Sequence, residues 1–153
     1  MRDKIKYLGL FVLLVILAFF DSLIFKNIQL TLVFLICFSL YSKNSKAIYI
    51  FSLLGFFCDI ISKTLPCFSF LYLYISLGCV WCEKKLLHIS GKTVFLISFI
   101  AFLAYYFSIQ IINMLIFYDV AISLSFVLKS TVFALINSSI SPIIYFFVKR
   151  FEV

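Results

Sequence analysis

The sequence predicts an all-helical integral membrane protein with six transmembrane helices. Of its 153 residues, 65% are apolar and only 12% are charged, whereas a soluble domain carries roughly 25% charged residues. A soluble fold of this length buries only about 70% of its chain surface, so its interior is too small for this apolar content. The apolar runs are continuous rather than alternating, which favours helices over the strands of a membrane barrel.

Six apolar runs approach the roughly 20 residues that a helical span needs, with help from their flanking side chains. The first run carries Asp21 near its end, the third carries Asp59, and the last contains Pro142. The predicted spans are residues 6–25, 28–41, 47–62, 65–82, 93–117 and 130–148. Together they form a single transmembrane domain, residues 1–153, in which no internal repeat is evident. The mostly apolar segment 119–128 is predicted to be interfacial or partly re-entrant.

The basic residues predict the orientation of these spans. With six spans, ten of the thirteen basic residues lie on the side that holds both termini and the loops 42–46 and 83–92. The other side holds Lys26, Lys63 and Lys129. The positive-inside rule then places both termini in the cytoplasm. The basic residues are thus topology signals with some affinity for anionic lipid, and no nucleic-acid partner is expected.

Asp59 is the most informative polar residue, because a carboxylate inside a span is costly unless it is paired or faces protein or water. Ser52, Gly55, Asp59 and Ser62 recur at intervals of three and four residues, so they share one helical face that should pack against another helix. This face could be a packing hub, a partner contact or an ion site. Asp59 could equally be an interfacial acid that pairs with Lys63 at i+4.

A second stripe of small and polar residues lies on the last predicted span. Its members are Ser130, Ala134, Asn137, Ser138 and Ser141. Pro142 follows directly, and the pattern predicts close helix packing next to a proline kink. A ligand-lined cavity would need the same residue types, so the stripe leaves both interpretations open.

Enzymatic chemistry finds little support in the sequence. Asp21, Asp59 and Asp119 all lie at the outer ends of spans, and two of them could converge as in membrane aspartic peptidases, but their neighbours differ from the signal-peptidase motifs. Cys79 and Cys82 form a CxxC spacing without a second such pair, so packing is the simpler role. With four glycines in the chain, a glycine-rich nucleotide site is excluded. We expect neither a cofactor nor a metal.

Two segments resemble one known family. Residues 55–62, with the sequence GFFCDIIS, resemble the Gly-x-x-x-Asp-Leu-Leu/Ile-Ser run of the third helix in the MreD family. Residues 137–142, with the sequence NSSISP and followed by Lys149 and Arg150, resemble the last helix of that family. The chain is therefore similar to MreD, the small membrane protein of the bacterial cell-elongation (Rod) complex.

This resemblance implies a non-enzymatic scaffold that maintains cell shape during peptidoglycan synthesis. The implied partners are an MreC-like protein, a RodA-type glycosyltransferase, a class B penicillin-binding protein and, indirectly, the MreB filament. The implied fold is that of the S components of energy-coupling-factor transporters. The alternative function is accordingly the substrate-binding S subunit of a vitamin transporter, which would need an enclosed pocket with convergent polar groups.

Overall fold

A computed structural model of the protein describes residues 12, 15, 16, 21, 29–41, 46–62, 67–86, 89–117 and 122–150. Within this part of the chain five helices are complete and no strand occurs, so the prediction of an all-helical chain is confirmed for these residues. The helices are α1 (Leu30–Tyr41), α2 (Lys46–Ser62), α3 (Cys67–Lys85), α4 (Gly91–Phe117) and α5 (Leu124–Arg150). The isolated residues 12, 15, 16 and 21 are also helical. Most of the first predicted span, 6–25, lies outside the described residues.

The largest difference from the sequence prediction is at the start of α5. The helix begins at Leu124, so the last five residues of the segment 119–128, which is predicted to be interfacial or partly re-entrant, form the first turns of the helix. The Ser123 hydroxyl accepts a hydrogen bond from the Phe126 amide at 3.2 Å, and this N-cap satisfies an amide that has no partner within the helix. The sequence prediction had started this span only at residue 130.

The other boundaries differ less. α1, α2 and α3 begin within two residues of the predicted spans, but α3 continues past residue 82 to Lys85. α4 begins at Gly91 rather than at residue 93 because Ser90 is its N-cap, with the Ser90 hydroxyl 3.3 Å from the Thr93 amide. Charged or polar residues thus extend both helices beyond their apolar segments.

Consecutive helices run antiparallel, because the connections between them are short. Each connection spans at most about 20 Å, whereas α4 and α5 have 27 residues each and are about 40 Å long. One end of the bundle therefore holds the start of α2, the end of α3, the start of α4 and the end of α5. Six of the seven basic residues that the structure describes lie at this end: Lys46, Lys84, Lys85, Lys92, Lys149 and Arg150. The seventh, Lys129, lies near the opposite end.

α1 is the central helix of the bundle. It contacts each of the other four helices, and its side chains from Leu32 to Leu40 are almost all buried. With 12 residues it is only about 18 Å long, which is less than the roughly 30 Å of a bilayer's hydrocarbon core. Its first residues meet Asn137, near the middle of α5. α1 therefore starts inside the protein rather than at an end of the bundle.

The polarity of α5 is inverted relative to a helix of a water-soluble protein. Its buried side includes Ser130, Asn137, Ser138 and Ser141, while large apolar side chains are exposed on the opposite side. The exposed set includes Leu128, Val132, Ile143, Phe146 and Phe147. Among the described helices, Gly91–Ile116 and Leu124–Arg150 are long and apolar enough to cross a membrane. Length and composition alone are weak evidence, but the inverted polarity adds to it because water disfavours an apolar surface of this extent.

Candidate functional site

Asp59 caps the start of the helix that follows its own. The Asp59 Oδ1 atom accepts a hydrogen bond from the Phe68 amide at 2.9 Å, and Oδ2 accepts bonds from the Ser69 amide at 3.0 Å and the Ser69 hydroxyl at 2.6 Å. The carboxylate faces the positive end of the α3 dipole, where a negative charge is stabilised. These contacts explain how an acid that is only 5% exposed is tolerated in an apolar helix. Lys63, the other predicted partner, lies outside the described residues.

The start of α1 is capped by two side chains from distant parts of the fold. Asp21 accepts hydrogen bonds from the Leu30 amide at 3.1 Å and the Thr31 amide at 2.8 Å, through different carboxylate oxygens. The Oδ1 atom of the fully buried Asn137 accepts a bond from the Gln29 amide at 2.8 Å. Three successive amides at this partly buried helix start are therefore satisfied by side chains.

The two aspartate caps have the same spacing. Each carboxylate uses one oxygen for the amide nine residues later and the other for the amide ten residues later. Thr31 and Ser69 hold equivalent positions, and both carry a hydroxyl group. The same local capping arrangement therefore occurs twice in the described part of the chain. In the sequence this arrangement corresponds to an Asp followed ten residues later by Thr or Ser. Such a pattern is too short to be recognised among apolar residues.

Gly55 is a point of close approach between α2 and α3. A Cβ atom at this position would lie 2.6 Å from the Cα of Ser69 and 2.8 Å from the carbonyl oxygen of Phe68. Real Cβ atoms do not come so near to backbone, so this contact admits only glycine. Gly55 and Asp59 are one helical turn apart and both face the first turn of α3. In the same predicted stripe Ser52 is half-buried, and the side chain of Ser62 lies outside the described residues.

The small and polar stripe of α5 also packs within the chain. Its residues Ser130, Ala134, Asn137, Ser138 and Ser141 are all buried. The Cys37 thiol of α1 donates a hydrogen bond to the Ser141 carbonyl oxygen at 3.1 Å, which joins the two helices. The Ser138 and Ser141 hydroxyls donate to carbonyl oxygens one turn earlier in α5, so they need no partner from another helix. Pro142 is half-buried inside the helix.

The arrangement of these groups is suited to joining helices rather than to bond-making chemistry. The carboxylate oxygens of Asp21 and Asp59 all accept hydrogen bonds from backbone amides, while Asp119 lies outside the described residues. Cys79 is buried and Cys82 half-buried, and both are free thiols. Within the described part of the chain, no three His, Cys, Asp or Glu side chains gather as metal ligands would.

Comparison with models of protein families, with curated proteins and with solved structures finds no match. The resemblance of residues 55–62 and 137–142 to the MreD family thus stands on the residues themselves. Those two segments contain Gly55, Asp59 and Asn137, which are the residues that connect α2 to α3 and α5 to α1.

Proposed function

We propose that this chain is a six-span membrane protein that acts as a non-enzymatic scaffold of the bacterial cell-elongation complex, in the manner of MreD. The observation that carries the proposal is the position of Gly55, Asp59 and Asn137. The residues on which the resemblance rests are the ones that hold neighbouring helices together. Such contacts are expected in a protein whose role depends on the shape of its bundle.

The membrane location is supported by the surface of the bundle. Large apolar side chains are widely exposed, for example Tyr49, Phe70, Ile100, Leu115 and Ile143, each at 65% or more. Buried serines and Asn137 lie in the interior, beside apolar side chains such as Phe38 and Phe102. Six of the seven described basic residues lie at one end, and the positive-inside rule assigns that end, with both chain termini, to the cytoplasm.

A scaffold rather than an enzyme is supported by the state of the acidic groups. An aspartic peptidase needs two carboxylates that share a proton and activate a water molecule. Here Asp21 and Asp59 are each held by two backbone amides of a different helix start. Because the connections between the described helices are short, recognition of an MreC-like protein or of the synthases would use the exposed helix faces. The buried stripes of α2 and α5 are occupied within the chain.

The test of this proposal is depletion combined with affinity capture. Cells depleted of the protein should lose their elongated shape, and the tagged protein should recover an MreC-like bitopic partner together with a RodA-type glycosyltransferase and a class B penicillin-binding protein. Preserved cell shape on depletion, with recovery of an energising ATPase module instead, would replace the scaffold by the S subunit of a vitamin transporter.

A further inference from the structure

An open groove of about 680 Å³ lies between α3 and α4 on the surface of the bundle. Its floor is made of small residues, Gly78 from α3 with Ala101 and Ala104 from α4. A Cβ atom added at Gly78 would meet nothing within 4 Å, so the space in front of this residue is empty. Tyr74 and Trp81 flank the groove and are mostly exposed.

The groove is about one leaflet long. From Tyr74 to Lys84, the first and last α3 residues that line it, the helix rises about 15 Å. This is half of the roughly 30 Å hydrocarbon core of a bilayer. A partner helix that crosses the membrane would need a track through both leaflets, whereas a lipid tail needs only one.

The charge at the groove is confined to one end. Among the described residues that line the groove, Lys84 is the charged one, and it belongs to the basic end of the bundle. Lys85 and Lys92 are exposed nearby but do not line the groove. The acidic neighbour Glu83 is half-buried and does not line the groove. An apolar channel with a cation at headgroup depth complements a phospholipid whose phosphate is negative and whose tail is apolar.

We propose that this groove binds the tail of an anionic phospholipid of the inner leaflet, with Lys84 contacting the lipid phosphate and Gly78, Ala101 and Ala104 leaving room for the tail. The proposal rests on the membrane location given under the proposed function and is independent of the scaffold role. It distinguishes a retained lipid from the bulk lipids that cover the rest of the apolar surface.

The test is native mass spectrometry of the full-length protein, purified in detergent, delipidated, and titrated with phosphatidylglycerol or with phosphatidylcholine of the same chains. Phosphatidylglycerol should bind more tightly. Lys84→Gln should weaken phosphatidylglycerol binding about fivefold, and the matched variant Lys85→Gln, which loses the same charge outside the groove, should change it less than twofold. Gly78→Leu fills the groove and should weaken both lipids, whereas Ser139→Leu, on the exposed side of α5, should weaken neither.

Equal losses in Lys84→Gln and Lys85→Gln would overturn the proposal, because they would indicate diffuse attraction to the basic end. Unchanged lipid binding in Gly78→Leu would also overturn it, and loss of a captured protein partner in that variant would assign the groove to a helix instead. Fractionation of cell membranes with the parent protein separates this failure from that of the membrane location. Absence of the protein from the membrane fraction would contradict the membrane location. A membrane-bound protein that binds both lipids equally would contradict only the lipid site.

Discussion

Asp21 and Asp59 show how a single side chain can supply hydrogen-bond acceptors to the amides at a buried helix start. The first amides of any helix have no partner within it, and each unsatisfied buried donor costs about 1–3 kcal/mol. A carboxylate supplies two acceptor atoms and a negative charge at the positive end of the helix dipole. Asn137 supplies a third acceptor at the start of α1, where Asp21 already holds the next two amides.

Replacing Asp59 should therefore destabilise the fold. Asp59→Ala leaves the Phe68 and Ser69 amides without their acceptors and should lower the free energy of unfolding by about 1–3 kcal/mol for each amide. Asp59→Asn should cost less, because one side-chain oxygen remains. Chemical unfolding in detergent micelles, followed by circular dichroism, measures both effects, with Glu83→Gln as a control for loss of a negative charge.

Two outcomes would contradict this structural role of Asp59. Unchanged stability of Asp59→Ala would show that the cap contributes nothing. Accumulation of unprocessed prolipoproteins in cells that carry Asp59→Asn would instead indicate a peptidase.

Gly55 and Gly78 form a matched pair for testing close packing. Gly55→Ala places a methyl group 2.6 Å from the Cα of Ser69, so α2 and α3 must separate, and we expect a loss of about 1–3 kcal/mol. Gly78→Ala meets open space and should raise stability slightly, by about 0.5–1 kcal/mol, because alanine favours the helix. Thermal unfolding of both variants in the same detergent measures the difference. Equal melting temperatures would rule out a tight α2–α3 contact.

At the scale of the helices, the sequence predicts where a helix exists better than where it starts. The apolar runs reveal α4 and α5, which are long and apolar enough to cross a membrane, because a membrane span needs about 20 mostly apolar residues. The starts at Gly91 and Leu124 depend on the hydroxyls of Ser90 and Ser123, which are single polar residues outside those runs.

The contacts between helices are harder to predict than the helices themselves. The spacing of Ser52, Gly55 and Asp59 places them on one face, but it does not say which helix that face meets. The bond between Asn137 and the Gln29 amide joins residues 108 positions apart, and no local pattern identifies such a pair. The capping role of Asp59 was missed because its acceptor atoms and the α3 amides lie on opposite sides of a connection.

Substitution of two adjacent serines tests how α5 packs against the other helices. Ser138 is buried and Ser139 exposed, although both hydroxyls donate to the carbonyl oxygen of Leu135. Ser138→Leu forces a larger side chain into the packed interior and should cost about 1–3 kcal/mol or more, while Ser139→Leu should be tolerated in detergent and membrane. Expression level and melting temperature of the two variants report this difference. Equal sensitivity of both positions would contradict the burial of the Ser138 face.

At the scale of the whole molecule, the bundle is polar at a few interior points and apolar over much of its surface. The sequence predicts this arrangement from composition alone, since 12% charged residues leave too few to cover a water-exposed surface. The distribution of lysines along the sequence also predicts that the basic residues gather at one end of the bundle. The sequence does not predict how deep in the bundle α1 starts, because that depth depends on the position of Asn137 along α5.

Cysteine labelling tests the orientation of the bundle. Lys85 and Ser123 are both exposed and lie at opposite ends. In intact cells, an impermeant maleimide should label Ser123→Cys and should reach Lys85→Cys only after the membrane is opened, because the positive-inside rule predicts that the basic end faces the cytoplasm. The parent protein gives the background of its own thiols, of which Cys37 and Cys79 are buried. Labelling of Lys85→Cys alone in intact cells would contradict this orientation and indicate the opposite one.

The caps of α1 and α3 also determine the order in which contacts can form during biosynthesis. The Asp21 and Asp59 contacts join residues nine or ten positions apart, so each becomes available as soon as a short further stretch of chain leaves the ribosome. Asn137 reaches Gln29 only after most of the polypeptide has been made. Insertion of the early helices therefore precedes completion of the central one, and a ribosome that stops before codon 137 releases a chain whose central helix lacks its final acceptor.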